Sequence, residues 1–120
     1  MDLVTLFSKT KQATANQAAD LMEAFHVTTF IGQPVGTYSS GMLKKLSLIL
    51  AFIGNPKLIL LDEPLVTIDD TSVPIVNKLI ETYHREKGVT FLLTSHQSFE
   101  TAGLPIDRQL IVENKTVTQL

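Results

Sequence analysis

The chain has 120 residues, of which 44% are apolar, and it carries a formal net charge of −2. This length suits one small domain or part of a larger one, and the apolar fraction suffices for a packed core, which argues against intrinsic disorder. The absence of cysteine excludes disulfides and thiolate metal sites, the charge argues against a general nucleic-acid binder, and no apolar stretch reaches the roughly 18 residues of a membrane span.

The first half of the chain has the pattern of a helical region. A short helix is predicted from Leu3 to Lys11, and apolar residues at i, i+3, i+4 and i+7 predict an amphipathic second helix through residues 18–25. Breakers at 32–36 mark a loop, and a third helix follows, ended by Gly54-Asn55-Pro56. The apolar faces of the second and third helices are assigned to Ala18, Leu21, Met22 and Phe25, and to Leu43, Leu46 and Leu50.

The second half of the chain alternates strands and helices. The four apolar residues Leu58–Leu61 predict a strand buried on both faces, as in a parallel sheet. A helix over Ser72–Lys87, capped by Gly88, leads to a second apolar strand at Val89–Leu93. A short helix and then an antiparallel hairpin with its turn at Asn114-Lys115 complete the order. The strand–helix–strand unit predicts an α/β layer fold with a right-handed crossover.

Two acidic residues, Asp62 and Glu63, close the first predicted strand. Ligands of open α/β sheets bind at the carboxyl edge of the strands, so this position favours a functional site. A carboxylate can hold Mg²⁺ directly or through water, and a neighbouring carboxylate can orient or deprotonate an attacking water. The alternative is that both acids simply begin a solvated loop, where charged residues are common.

The segment Ser39-Ser40-Gly41 precedes the third helix. A helix N-terminus favours phosphate, and serine with glycine lets the backbone approach an anion closely. The alternative is an ordinary serine N-cap.

Two more residues belong to this set of candidates. His96 follows the second strand, and parallel strands release their loops at the same sheet edge, so His96 is expected near Glu63. The alternative is an exposed histidine without a role. Asp69 lies shortly after the acidic pair, where it could equally cap the helix that follows.

These motifs together resemble those of ATP-binding cassette (ABC) ATPases. Leu58–Pro64 resembles the Walker B strand, and Tyr38–Met42 resembles the signature motif, whose common form is Leu-Ser-Gly-Gly-Gln. Ile68-Asp69 resembles the D-loop, with Thr67 in place of its glycine, and His96 resembles the switch histidine. The Tyr-Ser-x-Gly-Met variant is similar to that of exporter-type cassettes whose membrane partner is a separate polypeptide.

The resemblance implies a role for each candidate residue. Asp62 would serve Mg²⁺, Glu63 would be the general base, and His96 would touch the γ-phosphate. The D-loop of this family contacts the opposite subunit, and its signature motif closes on the nucleotide that the other cassette holds. The residues implied to contact ATP in this way are Ser39, Ser40, Gly41 and Asp69.

One motif of the family is missing from these 120 residues: the phosphate loop Gly-x-x-x-x-Gly-Lys-Ser/Thr. The resemblance covers nearly the whole chain but only the second half of the family's domain. We therefore expect a partial P-loop NTPase-like fold, with residues 1–54 as a helical subdomain and 55–120 as the C-terminal part of the ATPase core. We also expect this chain to be inactive alone.

The function that the resemblance implies is that of part of an ABC transporter ATPase subunit, using ATP and Mg²⁺. The expected partners are a second ATPase subunit, identical or different, and a separate transmembrane permease, with no nucleic acid. The expected location of the protein is cytoplasmic, peripheral at the inner face of the membrane. Two alternatives stay open: a non-catalytic remnant, and part of a soluble ABC ATPase that acts on ribosomes or DNA.

Overall fold

The computed structural model describes residues 2–97 and 103–120 and contains a helical first half followed by two small sheets. The mixed α/β class is confirmed, and so is the predicted order of elements apart from one short helix. The short helix predicted before the hairpin falls on a segment that includes residues 98–102, outside the described residues. The helices are α1 (Leu3–Thr10), α2 (Ala15–Ala24), α3 (Ser40–Phe52) and α4 (Val73–Lys87), and the strands are β1 (Leu58–Asp62), β2 (Thr90–Thr94), β3 (Leu110–Glu113) and β4 (Thr116–Gln119).

Strands β1 and β2 form a parallel pair in which Leu58 lies opposite Thr90 and Asp62 lies opposite Thr94. Helix α4 makes the crossover between them, as parallel strands require. Helix α3 contacts β1, and α4 contacts β2. Because the two strands end in register, their following loops leave the same edge of the sheet. The second sheet is the antiparallel hairpin β3–β4.

The parallel pair is covered on one face only, so the prediction of burial on both faces is wrong for this chain. Ile59 and Leu61 are buried, whereas Leu58 and Leu60 between them are 55% and 64% exposed. Leu92 on β2 lies opposite Leu60 and is 53% exposed. The reason is that, among the described residues, the helices pack against one face of the pair and leave the other to solvent.

The hydrophobic core joins the helical half to the sheet. Phe52 near the end of α3 contacts Tyr83 of α4 edge-on, with ring centroids 4.9 Å apart, and lies 5.8 Å from the Phe91 ring of β2. Leu43, assigned to the buried face of α3, is instead 41% exposed, and burial begins one turn later at Leu46.

The end of α3 is anchored by a side chain of α2. Gln17 accepts a hydrogen bond from the Gly54 N–H at 2.9 Å and donates one to the Gly54 carbonyl at 2.8 Å. The Gln17 amide also donates to the Tyr83 hydroxyl at 3.2 Å, which links α2 to α4. The predicted break at Gly54 therefore coincides with a fixed junction between three helices and β1. None of the helices in the described residues is both long and apolar enough to cross a membrane.

Candidate functional site

The first candidate, Asp62, is the last residue of β1 and is exposed at the carboxyl edge of the sheet. Its partner across the pair, Thr94, donates a hydrogen bond from its hydroxyl to the Asp62 carboxylate. This contact fixes one carboxylate oxygen and adds a hydroxyl oxygen beside it. Thr94 is a site residue that the sequence motifs do not indicate, although its position at the end of the second predicted strand is a usable signal.

Glu63 has a left-handed backbone conformation, with φ of 47°, immediately after β1. Its N–H donates to the Thr94 carbonyl and to the Thr94 hydroxyl, both at 3.2 Å. Its carbonyl accepts a hydrogen bond from the Lys44 ammonium of α3 at 3.0 Å. A residue with a Cβ rarely adopts this conformation unless its surroundings enforce it, and here hydrogen bonds to both the N–H and the carbonyl of Glu63 do so.

His96 lies beside Glu63, in agreement with the expectation from the parallel strands. Its backbone N–H donates to Glu63 Oε1 at 2.9 Å, and its Nε2 lies 3.4 Å from the same oxygen. The imidazole is almost fully exposed, whereas the Glu63 side chain is largely covered. The arrangement orients one carboxylate oxygen of Glu63 and leaves an imidazole in solvent, where it can donate a hydrogen bond to an anion.

The N-terminus of α3 carries Ser39, Ser40 and Gly41. Ser39 is the N-cap: its hydroxyl accepts from the Met42 N–H at 3.2 Å, and its own N–H donates to the Met42 sulfur at 3.4 Å. Ser40 is the first residue of the helix and is exposed. The cap interpretation of Ser39 is therefore correct as local structure. The phosphate-binding interpretation stays a prediction, and an exposed start of a 13-residue helix is compatible with it.

Gly41 faces the loop that follows β1. A Cβ at this position would lie 3.0 Å from the Thr67 carbonyl oxygen, closer than side chains normally approach, so the contact favours glycine. An open depression runs between the two segments, lined by Ser39, Ser40, Gly41, Met42, Lys45, Thr67, Ile68 and Asp69. The structure thus brings together the residues that resemble the signature motif and the D-loop.

Asp69 is engaged within the chain itself. Its Oδ1 lies 2.8 Å from the Lys45 ammonium, and its Oδ2 accepts hydrogen bonds from the hydroxyls of Ser72, at 2.8 Å, and Thr71. The Lys45 contact and these hydroxyls hold the pKa of the Asp69 carboxyl well below its ordinary value. The alternative that Asp69 caps α4 is wrong, because the N-cap is Ser72 and no side chain makes a cap hydrogen bond at this helix start.

Lys44 and Lys45 are functional candidates that the sequence reasoning missed. They were placed off the apolar face of α3 and given no role. Both are half-buried, and each reaches the loop after β1. Lys44 and Glu63 are 19 residues apart, and no local periodicity could indicate that contact.

The residues at the sheet edge are compatible with Mg²⁺. The Asp62 carboxylate and the Thr94 hydroxyl are oxygen donors, and Mg²⁺ usually binds one or two carboxylates and keeps several waters. Residues 2–97 and 103–120 contain no group of three or more His, Cys, Asp or Glu side chains that could hold a metal. The assignment of Mg²⁺ to Asp62 stays a prediction.

Comparison with known proteins identifies the family. The model of the ABC transporter family matches residues 2–66, which is more than half of the chain. The chain belongs to this family. The match includes the helical half, the Ser39–Gly41 segment and the Asp62–Glu63 pair, and it ends before Asp69 and His96.

Curated relatives agree with this result. The chain is 42% identical over 79 residues to the cytochrome c biogenesis ATP-binding export protein CcmA of Legionella pneumophila (strain Lens), covering 65% of this chain and 38% of that protein. It is 35% identical over 89 residues to the lipopolysaccharide export system ATP-binding protein LptB of Escherichia coli (strain K12), covering 74% and 36%. It is 37% identical over 94 residues to human ATP-binding cassette sub-family A member 13, covering 78% of this chain and 2% of that protein.

Solved structures support the fold. An ATP-binding subunit of an ABC transporter matches 98% of this chain and 51% of its own length, with a TM-score of 0.82 at 19% identity. A putative ABC transporter ATP-binding protein from Pyrococcus furiosus matches 82% of this chain and 51% of its own length, with a TM-score of 0.61 at 21% identity. The ABC ATPase, P-loop NTPase-like fold predicted from the sequence is confirmed. The chain spans about half the length of these two neighbours.

Proposed function

We propose that this chain is the part of an ABC transporter ATPase subunit that carries the signature motif and the hydrolytic carboxylate. In this proposal, residues 1–54 form the helical subdomain and 55–120 the C-terminal part of the ATPase core. ATP binding and hydrolysis would be coupled to transport through a separate membrane subunit. The observation that carries the proposal is the contact of His96 with Glu63, next to Asp62, at one edge of the parallel pair.

Each residue of the site has a proposed chemical role. Mg²⁺ at Asp62 would neutralise charge on the phosphates of ATP. Glu63 would accept the proton of the attacking water through a carboxylate that the His96 N–H already orients. The His96 imidazole would donate a hydrogen bond to a phosphate oxygen. Ser39, Ser40 and Gly41 would bind phosphate at the start of α3.

The proposed partners follow from the open depression beside α3. Its exposed serines and the neighbouring Asp69 loop are accessible from solvent, so they could face a nucleotide held by another cassette. We therefore propose a second ATPase subunit as one partner and a transmembrane permease as the other, with this chain at the cytoplasmic face of the membrane. CcmA and LptB are named as export proteins or as part of an export system, which supports the transport role.

Glu63→Gln tests the proposed base. The protein for this test is a fusion in which a cassette segment carrying Gly-x-x-x-x-Gly-Lys-Ser/Thr precedes residue 1. Glutamine keeps the shape of Glu63 and cannot accept the proton, so turnover of ATP should fall about 10²-fold or more while ATP affinity is retained. Steady-state phosphate release and equilibrium nucleotide binding measure the two effects. Glu23→Gln, an exposed carboxylate of α2, is the matched control and should leave both unchanged.

Asp62→Asn in the same fusion separates the metal site from the base. Loss of the carboxylate should weaken Mg²⁺-dependent binding of ATP itself, because asparagine is a poorer ligand for a hard cation. Normal turnover of the Glu63→Gln variant contradicts the role of Glu63. Equal loss of ATP binding in both variants contradicts the division of roles.

A separate question is what these 120 residues do by themselves, since they contain no Gly-x-x-x-x-Gly-Lys-Ser/Thr motif. Positioning and charge neutralisation supply most of the catalysis of phosphoryl transfer, and these 120 residues offer no lysine in that motif. We predict that the chain by itself releases no phosphate from MgATP above the buffer rate. Hydrolysis by the unmodified chain that Glu63→Gln abolishes would refute this prediction.

A further inference from the structure

We propose that Lys44 and Lys45, adjacent on α3, are positioning residues that hold the two ends of the Glu63–Asp69 segment against the start of this helix. The purpose of the arrangement, fixing Glu63 relative to Ser39–Gly41, rests on the proposed function. The contacts themselves do not depend on it. The proposal follows from three contacts between α3 and this segment.

The first contact is at the N-terminal end of the segment. The Lys44 ammonium donates to the Glu63 carbonyl at 3.0 Å. Lys44 is half-buried, so its hydrogen bond is less screened by solvent than a surface contact. A charged donor makes a stronger hydrogen bond than a neutral one. The bond acts on the carbonyl of a left-handed residue, since Glu63 has φ of 47°. Lys44 therefore stabilises a backbone conformation that is otherwise unfavourable.

The second contact is at the C-terminal end of the segment. The Lys45 ammonium lies 2.8 Å from Asp69 Oδ1, and the Lys45 side chain is only 17% exposed. Asp69 is at the same time bound by the Ser72 hydroxyl at 2.8 Å. The Lys45 ammonium is the first cause of the lowered pKa of Asp69, so the carboxyl is charged at neutral pH. This end of the segment is thus held to α3 by a charge pair and to the start of α4 by hydroxyls.

The third contact lies between the other two. The carbonyl of Thr67 approaches Gly41 so closely that a Cβ there would lie 3.0 Å away. Thr67 also has a left-handed backbone, with φ of 66°. Consecutive helical residues project about 100° apart, which lets Lys44 and Lys45 reach opposite ends of one segment while Gly41 meets its middle. We call these three contacts, Lys44–Glu63, Lys45–Asp69 and Gly41–Thr67, the clamp. The clamp therefore sets the spacing between the Glu63 carboxylate and the serines of α3.

Amide hydrogen exchange of the 120-residue chain tests the proposal. The Val66 N–H bonds to the Glu63 carbonyl at 3.2 Å, and the Ser72 N–H bonds to the Asp69 carbonyl at 2.9 Å, so each amide reports on one end of the segment.

Methionine variants remove the ammonium of each lysine and keep its apolar stem. Lys44→Met should accelerate exchange at Val66 about tenfold, and Lys45→Met should do so at Ser72. Lys78→Met, at an exposed lysine of α4, is the control and should change neither.

Rescue separates positioning from general stability. Lys44→Arg and Lys45→Arg retain a charged donor and should keep the protection of the wild-type chain. The proposal is overturned if Val66 and Ser72 exchange in the methionine variants at the wild-type rate. It is also overturned if the amides of Val76 and Ile80, in the core of α4, accelerate as much as those two amides do. If a methionine variant fails to fold, the arginine variants decide: retained protection supports the clamp and lost protection overturns it. No nucleotide is present, so the result is independent of whether the proposed ATPase function holds.

Discussion

Glu63 and Thr67 both have left-handed backbones, with φ of 47° and 66°, on either side of the loop that follows β1. For residues with a Cβ this conformation costs about 1–2 kcal/mol each. The sequence indicated the acidic pair and the substitution of Thr67 for the family's glycine, because both are visible as residue types. It could not indicate the conformation of Glu63, which depends on Lys44 and Thr94, contacts that are remote in sequence. Left-handed residues also occur outside this loop, at Gln12, His26, Asn114 and Lys115, so the conformation alone does not mark the site.

The Asp69–Lys45 pair predicts an acid-sensitive contribution to stability. The pKa of Asp69 in the folded chain lies below its ordinary value of about 3.8. Its ionised form therefore stabilises the fold at pH above that ordinary value, and the contribution is lost as pH falls through the lowered pKa. Asp69→Asn should destabilise the chain at about pH 6 and should approach the stability of wild type at strongly acidic pH.

Urea unfolding at several pH values measures this effect. Asp20→Asn, at an exposed position of α2, is the control for removing one negative charge. A difference between wild type and Asp69→Asn that stays constant from neutral to strongly acidic pH would show that ionisation of Asp69 does not contribute.

Local sequence signals were sufficient for some elements and insufficient for others. Helix α4 was predicted within one residue at its start and to the residue at its end, because Gly88 adopts the left-handed cap conformation with φ of 65°. The faces of β1 were predicted less well, since burial of Leu58 and Leu60 depends on what packs there, not on the strand itself. The prediction that Asp62, Glu63 and His96 lie at the same edge of the sheet needed only the order of the strands.

Gly54 provides a prediction for the junction at the end of α3, where the C-terminal end of α1 also lies against it. Its φ is 90°, and a Cβ there would lie 2.8 Å from the Lys11 carbonyl oxygen. Gly54→Ala should therefore lower the free energy of unfolding by about 2 kcal/mol, through backbone strain and displacement of Lys11. Gly32→Ala is the matched control, because a Cβ there meets nothing within 4 Å, and it should change stability by less than about 0.5 kcal/mol. Equal unfolding free energies of the two variants in urea would contradict this account of the junction.

At the scale of the whole molecule, the chain has a one-sided architecture. The parallel pair has an open apolar face formed by Leu58, Leu60 and Leu92, and the hairpin β3–β4 exposes further apolar side chains. The two solved neighbours are about twice as long as this chain. The predicted division at residue 54 cuts across the core, since Phe52 of α3 packs on Tyr83 of α4. The two proposed parts therefore stabilise each other through shared aromatic contacts.

The open face of the parallel pair leads to the last prediction, that the chain self-associates at micromolar concentration. Leu60 is 64% exposed at the centre of this face, and apolar strand surfaces with unpaired edges are templates for association. Leu60→Lys places a charge there without disturbing the buried face of β1, and it should shift the chain toward monomer in sedimentation velocity. Leu6→Lys, at a 47% exposed leucine of α1, is the matched control and should leave the association of the unmodified chain in place. A monomeric wild-type chain with one sharp, concentration-independent unfolding transition would contradict the prediction, because it would mean that the exposed leucines form no effective contact between copies.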